Sequence, residues 1–80
     1  MTYRIAWSSP ATQALREMPW RQAARVDVAV QRYAATGEGN RFRYESDAPL
    51  SWRLDVQLYV VRLSIDPRER LIRVWYIYRA

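Results

Sequence analysis

Residues 52–66 constrain the fold of this chain more than any other stretch. Trp52, Leu54 and Val56 alternate with Arg53, Asp55 and Gln57; after Leu58, the residues Tyr59, Val61, Leu63 and Ile65 alternate with Val60, Arg62, Ser64 and Asp66. Period-two alternation in two consecutive runs predicts two half-buried strands. Each has one apolar face, and a sheet this small cannot bury such a face by itself. An amphipathic cover must therefore lie on the side of Trp52, Leu54, Val56, Tyr59, Val61, Leu63 and Ile65. Arg53, Asp55, Arg62 and Ser64 are left on the opposite side.

The cover is legible upstream. Tyr3, Ile5 and Trp7 alternate with polar or small neighbours and predict an opening strand over 2–7. Ser9 supplies an N-cap hydroxyl and Pro10 a first helical residue. Ala11, Leu15 and Met18 then fall on one face of a short helix, which Pro19 interrupts. Trp20, Ala23, Val26 (or Asp27 beside it), Val30, Tyr33 and Ala34 mark one face of a second, longer helix, with Gly37 as its C-cap. Thr36–Asn40 reads as a flexible loop.

Downstream, Arg41–Glu45 alternates briefly, as an edge strand or an extended loop, and Ser46-Asp47-Ala48-Pro49 breaks it. Gln57-Leu58 is poor hairpin chemistry, because neither residue favours positive φ. Asp66-Pro67-Arg68-Glu69 carries the signal of a type I turn. Residues 72–79 form the last strand. Counting back from its end places Arg73, Trp75, Ile77 and Arg79 on one face and Val74, Tyr76 and Tyr78 on the other; which set joins the core stays open. The predicted fold is α+β: an N-terminal strand, a helical hairpin, then a three- to four-stranded, largely antiparallel sheet with the helices on one face. One domain over residues 1–80 is expected.

Composition excludes several chemistries. The 80 residues contain neither Cys nor His, so disulfides, thiolate catalysis, Cys/His zinc sites and His-activated nucleophiles are all ruled out. Glu45 with Asp47, or Asp66 with Glu69, lack the further oxygen ligands a hard cation needs; neither metal nor cofactor is expected. No run approaches the ~20 apolar residues of a membrane span, and the opening Met1-Thr2-Tyr3-Arg4 has no signal-peptide character, so a soluble, cytoplasmic protein with no membrane partner is expected. The net charge is +5 and all thirteen basic residues are Arg. Permanently charged planar forks suit phosphate and carboxylate, which points to nucleic acid or an acidic protein as partner.

The run from Trp52 to Asp66 and the order of elements resemble the RelE/ParE superfamily of bacterial toxins. Arg53, Leu54, Val56, Tyr59, Val61, Ile65 and Asp66 match that pattern without a gap. Ile72, Val74, Ile77 and Arg79 match its last strand, and Ile5, Trp7, Ser8, Ala11 and Leu15 its opening. The resemblance implies the toxin of a toxin–antitoxin pair, with a cognate antitoxin as partner. It further implies an RNA-binding endoribonuclease of the RelE kind, which inhibits translation by cutting mRNA on the ribosome. The alternatives are a ParE-like, non-enzymatic inhibitor of DNA gyrase, or a catalytically degraded toxin acting as a binding module. Departures bear on catalysis: Asp55 and Val60 stand where the pattern has basic residues, and Tyr78 stands where it has histidine.

In the RelE-like reading, Arg53, Arg62 and Arg79 hold the scissile phosphate and stabilise the charge that develops on it. Tyr78 is the proton-transfer candidate. An ordinary tyrosine titrates near ~10, so arginines around it would have to lower that value for it to act as a base. Tyr59 reads as core. Arg41, Arg43, Arg73 and Trp75, interleaved with other aromatics, are candidates for stacking on RNA or holding an antitoxin segment across the sheet. The plain alternative for all these arginines is a solvated strand face in an arginine-rich chain. Asp55, beside Arg53, repels phosphate and argues against a standard ribonuclease site.

Overall fold

The computed structural model describes residues 2–43 and 51–80. The elements run β1 (Arg4–Trp7), α1 (Ser9–Glu17), α2 (Trp20–Thr36), β2 (Asn40–Arg43), β3 (Ser51–Val56), β4 (Tyr59–Asp66) and β5 (Leu71–Arg79). The strands form one five-stranded sheet in the order β1-β5-β4-β3-β2. β1 runs parallel to β5 and every other pairing is antiparallel. The expected α+β class and helical hairpin are present, and the opening strand joins the same sheet as the four that follow the helices. The expected break at 46–49 lies outside the described residues.

Both helices lie on one face. Val26, Val30, Tyr33 and Ala34 of α2 and Ala11 of α1 meet Leu54, Val56, Val61, Leu63, Ile72, Val74 and Ile77 in a single core. Val26, not Asp27, is the inward residue of α2. Tyr59 packs against this cluster, as its parity predicts. Among the described residues no helix is long and apolar enough to cross a membrane.

The cap of α1 is Ser8, one residue earlier than expected. Its hydroxyl oxygen accepts from the Ala11 N–H at 3.1 Å, and its O–H donates to the Trp75 carbonyl at 2.6 Å. Pro10 fits as the second residue of the first turn, where N–H groups have no helical acceptor. Pro19 separates the helices, and Gly37 closes α2 in the left-handed conformation at φ 78, its N–H donating to the Tyr33 carbonyl.

The β3–β4 connection forms despite its chemistry. Gln57 takes φ 52, while its side-chain oxygen accepts from Arg25 Nη1 at 2.9 Å, and the Leu58 carbonyl accepts from the Ala80 N–H. These tertiary bonds hold a residue in a region that usually favours glycine. Asp66 closes the β4–β5 turn as its sequence predicts, one carboxylate oxygen accepting from the N–H groups of Arg68 and Glu69.

The last strand corrects the parity count. Arg62 pairs with Tyr76 and Leu63 with Val74, so Trp75 is an extra residue at a β-bulge. Inward positions run Ile72, Val74 and then Ile77. The single alternating frame over 73–79 therefore splits in two.

Candidate RNA-binding face

The side of the sheet away from the helices gathers most of the sequence candidates. Register pairs Phe42 with Arg53, Arg53 with Arg62, and Arg62 with Tyr76. Directly opposed residues share a face, so these four form one row across β2, β3, β4 and β5. With strands about 4.8 Å apart, the row spans roughly 14 Å. On one side of it lie Asp55, Val60 and Tyr78; on the other lie Ser51, Ser64 and Arg73. Trp75, released by the bulge, leans over β4 and donates its indole N–H to Ser64 Oγ at 2.9 Å.

The face is basic and aromatic at once. Phe42 is 52% exposed, Trp75 45%, Tyr76 54% and Tyr78 42%. Apolar rings this open on a sheet surface offer stacking platforms, and guanidinium groups between them offer phosphate contacts. The Arg53 guanidinium lies 5.4 Å from the Phe42 ring centre. It also donates from Nε and Nη2 to the two carboxylate oxygens of Asp55, both at 2.9 Å. Val60, where the toxin pattern has a basic residue, is buried on this face between Asp55 and Tyr78.

Three candidates fall elsewhere. Arg79 pairs with Tyr59, on the helix-covered side, because the bulge at Trp75 reverses the frame between Arg73 and Arg79. The expected sharing of a face by these two arginines is thus corrected. Arg41 pairs with Leu54, also on the helix side, where it donates to the Tyr33 hydroxyl at 2.9 Å and lies 4.1 Å over the Trp52 ring. Arg43 pairs with Trp52 in the β2–β3 register, outside the central row. Arg53, Arg62, Arg73, Trp75 and Tyr78 remain together. Phe42 and Tyr76, aromatics interleaved with the candidate arginines in sequence, complete the central row. The spacing of the aliphatic residues Ile72, Val74 and Ile77 was the available signal for the bulge that aligns Tyr76.

A second concavity of about 730 Å³ lies between α2 and the ends of β2 and β3, lined by Arg25, Val28, Arg32, Leu54 and Gln57 among others. Its arginines are engaged: Arg25 donates to Gln57, and Arg32 pairs with Glu38 at 2.7 Å. Glu45, Asp47 and Tyr44 lie outside the described residues, and the Asp66 carboxylate serves its own turn.

Neither a protein-family model nor a curated protein matches the sequence. The three-dimensional comparison is decisive for the fold. A RelE chain of the RelBE2 toxin–antitoxin complex from Mycobacterium tuberculosis superposes with a TM-score of 0.87, covering 100% of this chain and 93% of that one at 12% identity. The chain has the RelE fold. A RelE chain from the archaeal RelE–RelB complex of Pyrococcus horikoshii OT3 agrees, with a TM-score of 0.83 over 99% of this chain and 96% of the other at 18% identity. Asp55 lies on the face opposite the helices, as its alternation predicts, and Val60 faces it across the β3–β4 register.

Proposed function

We propose that this protein is a cytoplasmic toxin of the RelE kind, neutralised by an antitoxin partner, and that it acts on mRNA at the ribosome. The observation that carries the reading is the row Phe42–Arg53–Arg62–Tyr76 on the open sheet face. Two guanidinium groups facing each other across β3 and β4 suit a phosphodiester, and an exposed ring at each end suits the flanking bases. With no histidine in the chain, the side chains beside this row able to transfer a proton include, among the described residues, Tyr76, Tyr78, Ser51, Ser64 and Asp55. The expected cleavage is attack on the phosphate by the neighbouring 2′-hydroxyl, which loses its proton as the P–O5′ bond breaks, leaving a 2′,3′-cyclic phosphate and a protonated 5′-hydroxyl, with Arg62 and Arg53 stabilising charge on the phosphoryl oxygens. Tyr78 is the proton-transfer candidate; Arg79, on the other side of the sheet, has no part in it.

An antitoxin fits the same surface. A basic face with four open aromatic rings suits an acidic, amphipathic segment that folds on binding, and such a segment would cover the catalytic row. Both structural neighbours come from toxin–antitoxin complexes, which supports a partner of this type.

The test is cleavage of an mRNA programmed on purified ribosomes. The reading expects cuts only when ribosomes are present, reduced on the order of 100-fold by Arg62→Ala in a folded protein. Intact mRNA together with inhibition of DNA gyrase supercoiling would instead assign the protein to the gyrase-directed alternative. That alternative draws its support from the carboxylate already held by Arg53.

A further inference from the structure

Arg53 and Asp55 are two residues apart on β3, so their side chains leave the same face. Arg53 lays its Nε and Nη2 edge along its own strand and donates to both Asp55 oxygens at 2.9 Å. That two-point edge is the one a guanidinium offers to two phosphate oxygens. The pair is not sealed away: the Arg53 side chain is 41% exposed and that of Asp55 27%. Arg53 also stands directly opposite Arg62 in the β3–β4 register. Like charges facing across strands repel, and the Asp55 carboxylate, bonded to Arg53, offsets part of this repulsion. Phe42, with its ring centre 5.4 Å away, bounds the guanidinium on the β2 side.

We propose that Asp55 is a positioning residue that competes with RNA phosphate for Arg53. It keeps the Arg53 fork formed while the face is empty and yields it when a phosphodiester arrives. The negative charge of Asp55 thereby sets how tightly the row holds RNA. The proposal rests on the RNA reading of this face and deepens it: the substrate contact is a phosphate admitted by exchange with a resident carboxylate.

The test uses the full chain and a fluorescein-labelled single-stranded RNA of about ten nucleotides, followed by anisotropy at roughly 50–200 mM NaCl. Asp55→Asn is expected to bind on the order of tenfold tighter, with a log K against log salt slope steeper by about 0.7, the increment of one added phosphate contact on a single strand. In an Arg53→Gln background the same substitution should add nothing to the slope, because the fork it frees is gone. Wild-type affinity and slope in folded Asp55→Asn, or an unchanged slope increment without Arg53, would overturn the competitor role and leave the RNA reading standing. Absence of RNA binding by wild type and every variant would overturn the RNA reading and this proposal with it. Should Asp55→Asn fail to fold by circular dichroism, Asp55→Ser carries the same expectations.

Discussion

Substituting alanine at Gly39 tests how tightly the loop before β2 is seated on the core that supports the candidate face. A Cβ built at Gly39 would stand 2.7 Å from Leu54 Cδ1 and 3.7 Å from Tyr33 Cδ1. Carbon atoms rest about 3.5–4.0 Å apart, so the new methyl overlaps Leu54 by roughly 1 Å. Leu54 is 1% exposed and packed between β3 and α2, which leaves it little room to swing aside. Such overpacking costs about 1–3 kcal/mol. Gly39 also sits at φ 156, which L-residues rarely adopt, adding about 1–3 kcal/mol. Against this, alanine reduces unfolded-state entropy, a gain of about 0.4–1 kcal/mol. The net loss is about 1–6 kcal/mol, centred near 3, a large share of the roughly 4–12 kcal/mol expected for 80 residues. At about 4–8 °C per kcal/mol, a loss near 3 kcal/mol lowers the melting temperature by roughly 12–24 °C. Gly37→Ala is the internal control, since its φ is 78 but nothing lies within 4 Å of the new Cβ; its cost is backbone strain alone, about 1–2 kcal/mol. Urea and thermal unfolding monitored by circular dichroism rank the two. A Gly39→Ala protein as stable as Gly37→Ala, or more stable, would refute the close approach to Leu54.

Ser8→Ala removes a helix cap and the bond to the Trp75 carbonyl, and should lower stability by about 1–2 kcal/mol in the same unfolding assay, whereas Ser9→Ala should stay within about 0.5 kcal/mol. Arg79→Ala should leave RNA affinity within about twofold, while Arg62→Ala weakens it by on the order of tenfold and lowers the salt slope by about 0.7 in an anisotropy titration; equal effects would contradict the face assignment. Ser64→Ala removes the acceptor of the Trp75 indole N–H and should change the exchange rate of that proton by NMR, with an unfolding free energy within about 1 kcal/mol of wild type.

Period-two alternation over 52–66 made both faces of β3 and β4 legible, because one face of each strand is apolar and a shift of one residue would expose all of it. The inward face of α2 was legible at Val26, Val30, Tyr33 and Ala34, but Trp20, read onto the same face, is 74% exposed at the first turn. The frame of β5 was misread by a single alternating count, because Trp75-Tyr76 is aromatic at both positions and only the spacing of Ile72, Val74 and Ile77 marks the inserted residue. That one bulge moved Arg79 off the face and aligned Tyr76 with Arg62. Arg41 misled differently: an arginine in an exposed-looking alternation has a stem and a planar head that stack well on Trp52 and Tyr33. Gln57 shows the limit of turn chemistry, since its positive φ is held by Arg25 from α2, a partner 32 residues away. The Arg53–Asp55 neighbourhood was visible in sequence, while its two-point geometry required the side chains to be placed.

The central claim, that RNA lies on the sheet face opposite the helices, is tested most directly by titrating isotope-labelled protein with a single-stranded oligoribonucleotide and following backbone and arginine side-chain N–H signals. The expected result is that shifts concentrate on Phe42, Arg53, Arg62, Arg73, Trp75 and Tyr76, with the outward residues of α2 unmoved. Shifts centred on Arg25, Val28 and Arg32, with the Arg53 and Arg62 signals unchanged, would contradict it.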